Sequence, residues 1–169
     1  SRTQLWSLAT RDWSPELLSL FGIDGDVLPR AVPSRYDYGI LPTPAGPVPL
    51  TVVTGDQSAV PFAFGPLDSG IVYVNLGTGA FAQRAVSDAL PVAPRLLVSV
   101  VWSTAGHVDY LLEGTVNGAG SALDWPANQE GAPLPILLAE AEASRAVDET
   151  PPLFINGVSG LGAPFWVSS

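Results

Sequence analysis

The chain has 169 residues, 47% of them hydrophobic, which is enough for one core or for parts of two domains and excludes a disordered chain. Its formal net charge of −9 disfavours nucleic acid and anionic membranes as partners, because clustered basic residues bind their phosphates. The chain contains neither Cys nor Lys, which excludes disulfide scaffolds, thiolate zinc sites, Schiff-base chemistry and Walker-type phosphate loops.

The first predicted element is a helix that begins at Pro15. Ser14 has the residue type and position of an N-cap, and Glu16 adds a favourable charge in the first turn. Gly22 is expected to end this helix. Residues 29–49 are rich in Pro, Gly, Ser and Tyr, which favours a loop with an edge strand.

A buried strand and a helix are predicted on either side of Asp56. Residues 48–53 are short, apolar and β-branched, which favours a buried strand. Residues 57–64 favour a helix with Asp56 at or near its N-cap, and Gly65 with the following proline is expected to end it.

Further strands are predicted in the second half of the chain, at residues 71–76, 80–86, 96–102 and 110–116. Gly77-Thr78-Gly79 is expected to form a tight turn between the first two of them, which would then pair as an antiparallel hairpin.

Helices dominate the prediction after residue 117. One helix is expected to run through Leu123 and Trp125, and a second over residues 135–147, with a last short strand over residues 153–156. Antiparallel strands followed by helices favour an α/β fold with a mixed sheet.

Asp56 is the first candidate functional residue. It follows a predicted strand and lies at the start of a predicted helix, whose N-terminal field favours an ionised carboxylate. Such a carboxylate can accept a proton from a substrate hydroxyl as a general base. Helix capping is the commoner role of Asp at such a place, and position alone leaves both roles open.

Two glycine motifs are candidates for phosphate binding. In Gly77-Thr78-Gly79 the lack of side chains lets backbone N–H groups approach an oxyanion, and Thr78 adds a hydroxyl donor. Gly118 and Gly120 open a predicted helix, where a phosphate or ribose group can bind. A hairpin turn that needs a positive φ and close strand–helix packing are the alternatives, and the residues alone leave them open.

Four motifs are more informative in their order than singly. GDQSAVPFAFG, NLGTGAFAQ, EGTVNGAGSALDW and FINGVSGLGAPFW follow one another, with WSPELLSLFGID and LPRAVPS upstream. This arrangement resembles the central stretch of the FGGY carbohydrate kinases and covers nearly the whole chain.

The resemblance implies a role for three residues at the substrate. Asp56 would be the general base that deprotonates the sugar hydroxyl. Gln57 would hydrogen-bond the polyol, and Phe81 would line the substrate pocket.

It implies a nucleotide site formed by glycines and one acid. Gly77, Thr78 and Gly79 would face the β- and γ-phosphates of ATP. Gly120 and Asp124 correspond to positions at which the family contacts the nucleoside, although Gln is frequent at the position of Asp124. No side chain of this chain is predicted to ligate a metal.

The fold implied by the resemblance is a pair of actin-like (ribonuclease H-like) domains around a cleft. Residues 1–66 would be the end of the first, sugar-binding domain, and residues 67–169 the start of the second, nucleotide-binding domain. The complete protein would transfer a phosphoryl group in line from ATP, with Mg²⁺ bridging the phosphates, to a sugar or polyol.

The expected partners are a sugar or polyol and ATP, without nucleic acid or membrane, and a homodimer is left open. The cytoplasm is the expected location, because the apolar runs are too short to cross a bilayer and the N-terminus lacks an apolar signal core.

Several parts of such a kinase are not encoded here, among them the N-terminal phosphate turn with its own Asp and the later adenine-binding segment. Because the sequence begins with Ser and contains no Met, we expect a segment of a longer protein that is inactive alone. One alternative is a non-catalytic remnant that binds a nucleotide or a partner. Another is an unrelated all-β binding domain, which the predicted helix over residues 135–147 disfavours.

Overall fold

A computed structural model describes residues 3–87, 89–144 and 155–168. The chain opens with a small antiparallel hairpin of β1 (Trp6–Ser7) and β2 (Asp12–Trp13). Helix α1 (Pro15–Phe21) follows, and the hydroxyl of Ser14 caps it by accepting a hydrogen bond from the backbone N–H of Leu17 at 3.4 Å. Gly22 ends the helix in the left-handed conformation, with φ of 64°. The predicted first helix is confirmed at both ends.

The segment after α1 departs from the prediction. Strands β3 (Ile40–Thr43) and β4 (Gly46–Pro49) form an antiparallel hairpin. The predicted buried strand over residues 48–53 is wrong, because β4 ends at Pro49 and Val52 makes only an isolated bridge beyond it. Val52 is 43% exposed. Prolines in β4 lack the N–H donors that a central strand needs, which limits this segment to a two-stranded hairpin.

Helix α2 is short and begins at Asp56. It spans Asp56–Ala59 and continues as a 3₁₀ helix over Val60–Phe64, which Gly65 ends with φ of 111°. The predicted helix over residues 57–64 and its end at Gly65 are confirmed, although half of it has 3₁₀ geometry.

The main sheet contains the strands predicted in the second half of the chain. They are β5 (Val72–Leu76), β6 (Ala80–Ser87), β7 (Leu97–Ser103) and β8 (Val108–Val116). Their order across the sheet is β5-β6-β8-β7. Because three residues join the neighbouring strands β5 and β6 and four join β7 and β8, each of these pairs must be antiparallel.

Helices follow the sheet in sequence. A 3₁₀ turn over Gly120–Leu123 leads into α3 (Asp124–Glu130), and α4 (Leu134–Ala143) comes next. Part of the predicted second helix, residues 145–147, and residues 153–154 of the predicted last strand lie outside the described residues. Residues 155 and 156 are not in a strand. Within the described ranges, no helix is long and apolar enough to cross a membrane.

A small apolar core lies on the main sheet. Ala85, Val101 and Leu111 are almost fully buried, with Leu67 and Trp102 packed against them. These residues come from β6, β7, β8 and the segment before β5, so the core joins the sheet to the chain that precedes it.

Contacts divide the described residues into two compact units. The first contains Ser1–Ile71, Arg84–Ala93 and Val98–Leu112, as far as these ranges are described, and the second contains Val72–Gln83, Pro94–Leu97 and the described part of Glu113–Ser169. Asp56 lies in the first unit and Gly77-Thr78-Gly79 in the second. The predicted domain boundary between residues 66 and 67 stays a prediction.

Candidate functional site

Asp56 is an exposed carboxylate at the start of α2. Gly55 is the N-cap of this helix, with φ of −76° and ψ of 153°, and it supplies no side-chain cap. Asp56 is the first helical residue, and its Oδ1 accepts a hydrogen bond from the backbone N–H of Gln57 at 2.7 Å. Asp56 is exposed, so its carboxylate is accessible from solvent.

The glycine turn, Gly77-Thr78-Gly79, is tied to the support loop, residues 117–121, through its carbonyl groups. The carbonyl oxygen of Gly77 accepts a bond from the N–H of Gly120 at 2.8 Å. The carbonyl oxygen of Thr78 accepts one from the N–H of Ala119 at 2.9 Å and others from the N–H and hydroxyl of Ser121. The acceptors of the turn are therefore engaged by the protein.

Two of the three backbone N–H donors of the glycine turn are not engaged by the residues that the structure describes. Among the residues that the structure describes, the N–H of Gly77 alone finds an acceptor, the carbonyl oxygen of Gly79 at 2.8 Å. The N–H groups of Thr78 and Gly79 have no acceptor among the residues that the structure describes, and Thr78 is exposed. Consecutive free N–H groups on an exposed turn form a concave site that favours an anion.

Neither glycine of the turn has the left-handed backbone that a simple hairpin turn would require. A Cβ on Gly79 would lie 3.0 Å from the carbonyl oxygen of Val116, so close packing explains this glycine. A Cβ on Gly77 would meet nothing nearer than 3.8 Å. Among the described residues, neither backbone strain nor close packing therefore accounts for Gly77.

Gly118 and Gly120 have packing reasons. A Cβ on Gly120 would lie 2.6 Å from the carbonyl oxygen of Gly77, and one on Gly118 would lie 2.6 Å from the hydroxyl of Ser159. Close packing, one of the two interpretations left open by the sequence, therefore accounts for both residues. A nucleoside contact at Gly120 stays a prediction.

Two other predicted residues lie in the second unit with the glycine turn. Phe81 is a half-buried residue of β6, directly after the turn, and Asp124 is the exposed first residue of α3. Their predicted contacts with the substrate and the nucleoside stay predictions.

No role was predicted for the back loop, residues 155–163. The spacing of its glycines was the one signal in the sequence that could have indicated such a role. The side-chain amide of Asn156 donates a hydrogen bond to the carbonyl oxygen of Gly118. A Cβ on Gly162 would lie 2.2 Å from the carbonyl oxygen of Thr115, and the N–H of Ala163 donates to the same oxygen at 3.0 Å. The back loop thus contacts the support loop and the end of β8.

A Ser–Asp–His cluster in the first unit lacks the arrangement of a nucleophilic site. The hydroxyl of Ser87 donates to Oδ1 of Asp109 at 2.5 Å, and Nε2 of His107 lies 2.9 Å from Oδ2 of the same carboxylate. The carboxylate lies between the other two groups, whereas activation of a serine requires the imidazole next to the hydroxyl.

The capacity of the chain to bind a metal ion depends on its His, Cys, Asp and Glu side chains. Among the described residues, no group of three or more His, Cys, Asp or Glu side chains could hold a metal ion.

The fold defines a class of protein. No protein-family model matches the chain. The glycerol kinase of Plasmodium falciparum, solved with ADP, matches 99% of this chain and 34% of its own, with a TM-score of 0.81 and 23% identity. A xylulose kinase from Rhodospirillum rubrum matches 96% of this chain and 35% of its own, with a TM-score of 0.64 and 20% identity. The chain therefore has the fold of a segment of these actin-like α/β proteins, as predicted, and an all-β binding domain is excluded.

The curated relatives of the chain are glycerol kinases. Glycerol kinases from Gloeobacter violaceus and Bordetella pertussis are 36% and 37% identical to the chain, and one from Thermococcus gammatolerans is 31% identical. Each match covers 98% of this chain, and the chain spans about a third (34%) of the length of these relatives. Over nearly its whole length the chain is thus similar to one segment of these kinases, and the predicted resemblance to the FGGY carbohydrate kinases is confirmed.

Proposed function

We propose that the complete protein containing this chain transfers a phosphoryl group from ATP to a hydroxyl of a sugar or polyol. The observation that carries this proposal is the glycine turn, whose acceptors are engaged while the N–H groups of Thr78 and Gly79 stay available to an anion. The names of the relatives, which are glycerol kinases, support the same reaction.

The glycine turn binds the β- and γ-phosphates of ATP in this proposal. Without any Lys in the chain, backbone N–H groups and the hydroxyl of Thr78 must supply the hydrogen bonds to the phosphate oxygens. Donors fixed before the substrate binds need no reorganisation as charge develops during transfer. Gly120 and Asp124 contact the nucleoside, and Mg²⁺ accompanies the phosphates.

Asp56 accepts the proton of the substrate hydroxyl as general base. The freed oxygen forms a bond to the γ-phosphorus of ATP while the bond from that phosphorus to the β,γ-bridging oxygen breaks, releasing ADP. Gln57 hydrogen-bonds the polyol, and Phe81 lines its pocket. The reaction requires Asp56 and the glycine turn to face one cleft, which the closure of two domains would form.

The remaining expectations follow from this role. Residues 1–66 belong to the sugar-binding domain and residues 67–169 to the nucleotide-binding domain, and the chain alone is inactive. We expect the complete enzyme in the cytoplasm, with a homodimer left open.

Replacing Asp56 by Asn in the complete kinase tests the proposal. Asn keeps the size and hydrogen bonding of the side chain but cannot accept the proton, so we expect kcat to fall by about 10²–10⁴-fold. ATP consumption is measured with a panel of polyols and ketoses, and nucleotide affinity is measured separately and should not change. Asp26→Asn is the matched control, because Asp26 is also an exposed acid in the first turn of a short helix.

Different results would reject different parts of the proposal. If the D56N variant keeps most of kcat, Asp56 is not the general base. If the unmodified complete protein binds ATP but turns over no polyol or sugar, it is the non-catalytic remnant instead. Robust turnover by the 169-residue chain alone would contradict the proposal that activity requires segments of the kinase outside this chain.

A further inference from the structure

The back loop lies in FINGVSGLGAPFW, the one of the four ordered motifs to which the proposed function gives no role. Its residues contact the support loop at two places. The side-chain amide of Asn156 donates to the carbonyl oxygen of Gly118, and the amide of Asn117 donates to the carbonyl oxygen of Ser159 at 3.3 Å. Oδ1 of Asn156 in turn accepts from the N–H of Val158 at 3.4 Å, which fixes the orientation of the side chain.

The support loop connects Asn156 to the glycine turn through backbone hydrogen bonds. The residues directly after Gly118 are Ala119 and Gly120, and their N–H groups donate to the carbonyl oxygens of Thr78 and Gly77. No side chain can rotate to absorb a shift, because a Cβ on Gly120 would already be 2.6 Å from the carbonyl oxygen of Gly77. A displacement of Gly118 must therefore displace the turn.

We infer that Asn156 is a positioning residue for the glycine turn, holding its free N–H groups in place for the phosphates of ATP. The inference rests on the proposed function of the turn. Asn156 is half-buried, and the Gly118–Ala119 peptide unit separates it from the turn, so it acts through the support loop and needs no contact with the nucleotide.

Asn156→Asp is the decisive variant. The Asp side chain has nearly the same shape but places an acceptor oxygen against the carbonyl oxygen of Gly118, so that attraction becomes repulsion. One lost hydrogen bond raises KM for ATP by about 3- to 10-fold, and we expect the Asp variant to exceed this range because repulsion is added, while KM for the polyol stays within twofold. Asn156→Ala loses the bond without the repulsion and should give a smaller rise.

Asn128→Asp is the matched control, since Asn128 lies exposed on α3 and the change in charge is the same. Kinetics are measured in the complete kinase, and thermal unfolding of each variant is recorded alongside. A rise in KM for ATP in the two Asn156 variants but not in N128D supports the inference.

Three other outcomes overturn it. Unchanged KM for ATP in both Asn156 variants rejects the positioning role. If both KM values rise in parallel and thermal stability falls, the role of Asn156 is merely structural. Absence of ATP-dependent phosphorylation in the unmodified kinase rejects the proposed function and the inference with it, and this case is recognised because the unmodified protein fails rather than the variants.

Discussion

Gly77 offers a sharp test, because its function and its structural role predict opposite effects of one methyl group. An alanine Cβ at this position would have no neighbour nearer than the carbonyl oxygen of Gly79 at 3.8 Å, which is ordinary contact, and the backbone is not left-handed. Gly→Ala at such a compatible position stabilises a protein by about 0.4–1 kcal/mol through the unfolded chain. The Gly77→Ala variant should thus be as stable as the unmodified protein or slightly more stable.

Nucleotide binding should respond in the other direction. The methyl group would stand on an exposed turn beside the free N–H of Thr78 and keep a phosphate oxygen from hydrogen-bond distance. A hydrogen bond to a charged group contributes about 1.5–3 kcal/mol, so its loss raises the Kd for ATP about 10- to 100-fold.

Thermal unfolding and titration with ATP measure the two effects on the same sample. Gly106→Ala is the control, because Gly106 is also exposed and a Cβ there meets no atom within 4 Å. If G77A binds ATP within twofold of the unmodified protein, the turn does not cradle phosphates. If G77A instead loses more than about 1 kcal/mol of stability, the argument that the site tolerates a methyl group is wrong.

Two further predictions concern packing. Gly120→Ala places a Cβ 2.6 Å from the carbonyl oxygen of Gly77 and should cost about 1–3 kcal/mol of stability in urea unfolding as well as raising KM for ATP, whereas G106A should do neither. Leu111→Ala removes a fully buried side chain and should cost about 2–5 kcal/mol, whereas Leu20→Ala, at an exposed position on α1, should stay within about 0.5 kcal/mol; equal effects at the two leucines would refute the assignment of the core.

The sheet and the first helix could be predicted because their signals are local. Ser14 and Gly22 have side-chain and backbone properties that mark helix ends, and the β-branched runs after residue 70 are bounded by glycines. The segment over residues 48–53 has the same apolar composition, and there the prediction was wrong. What the composition did not reveal is that the prolines of β4 restrict it to a hairpin, with its valines exposed.

The roles of the glycines could not be predicted, because they depend on residues far away in sequence. Gly120 is required by the carbonyl oxygen of Gly77, and Gly118 by the hydroxyl of Ser159, each about 40 residues away. A single sequence contains no record of such approaches between backbones. Asp56 is the opposite case, since the local sequence predicted it at or near the N-cap of a helix, and it is the first residue of α2, directly after the N-cap Gly55.

The direct backbone approach between Gly120 and Gly77 limits how this region can be exchanged between proteins. Side chains usually absorb small differences between two parents of a chimera, but here carbonyl oxygens and N–H groups meet without any side chain between them. A graft of residues 77–79 alone would bring a turn whose carbonyl oxygens no longer match the positions of the N–H groups in the support loop. A successful transfer would have to include three stretches together, namely residues 77–79, 117–121 and 155–163. Although they are distant in sequence, these stretches would be exchanged between proteins as one unit.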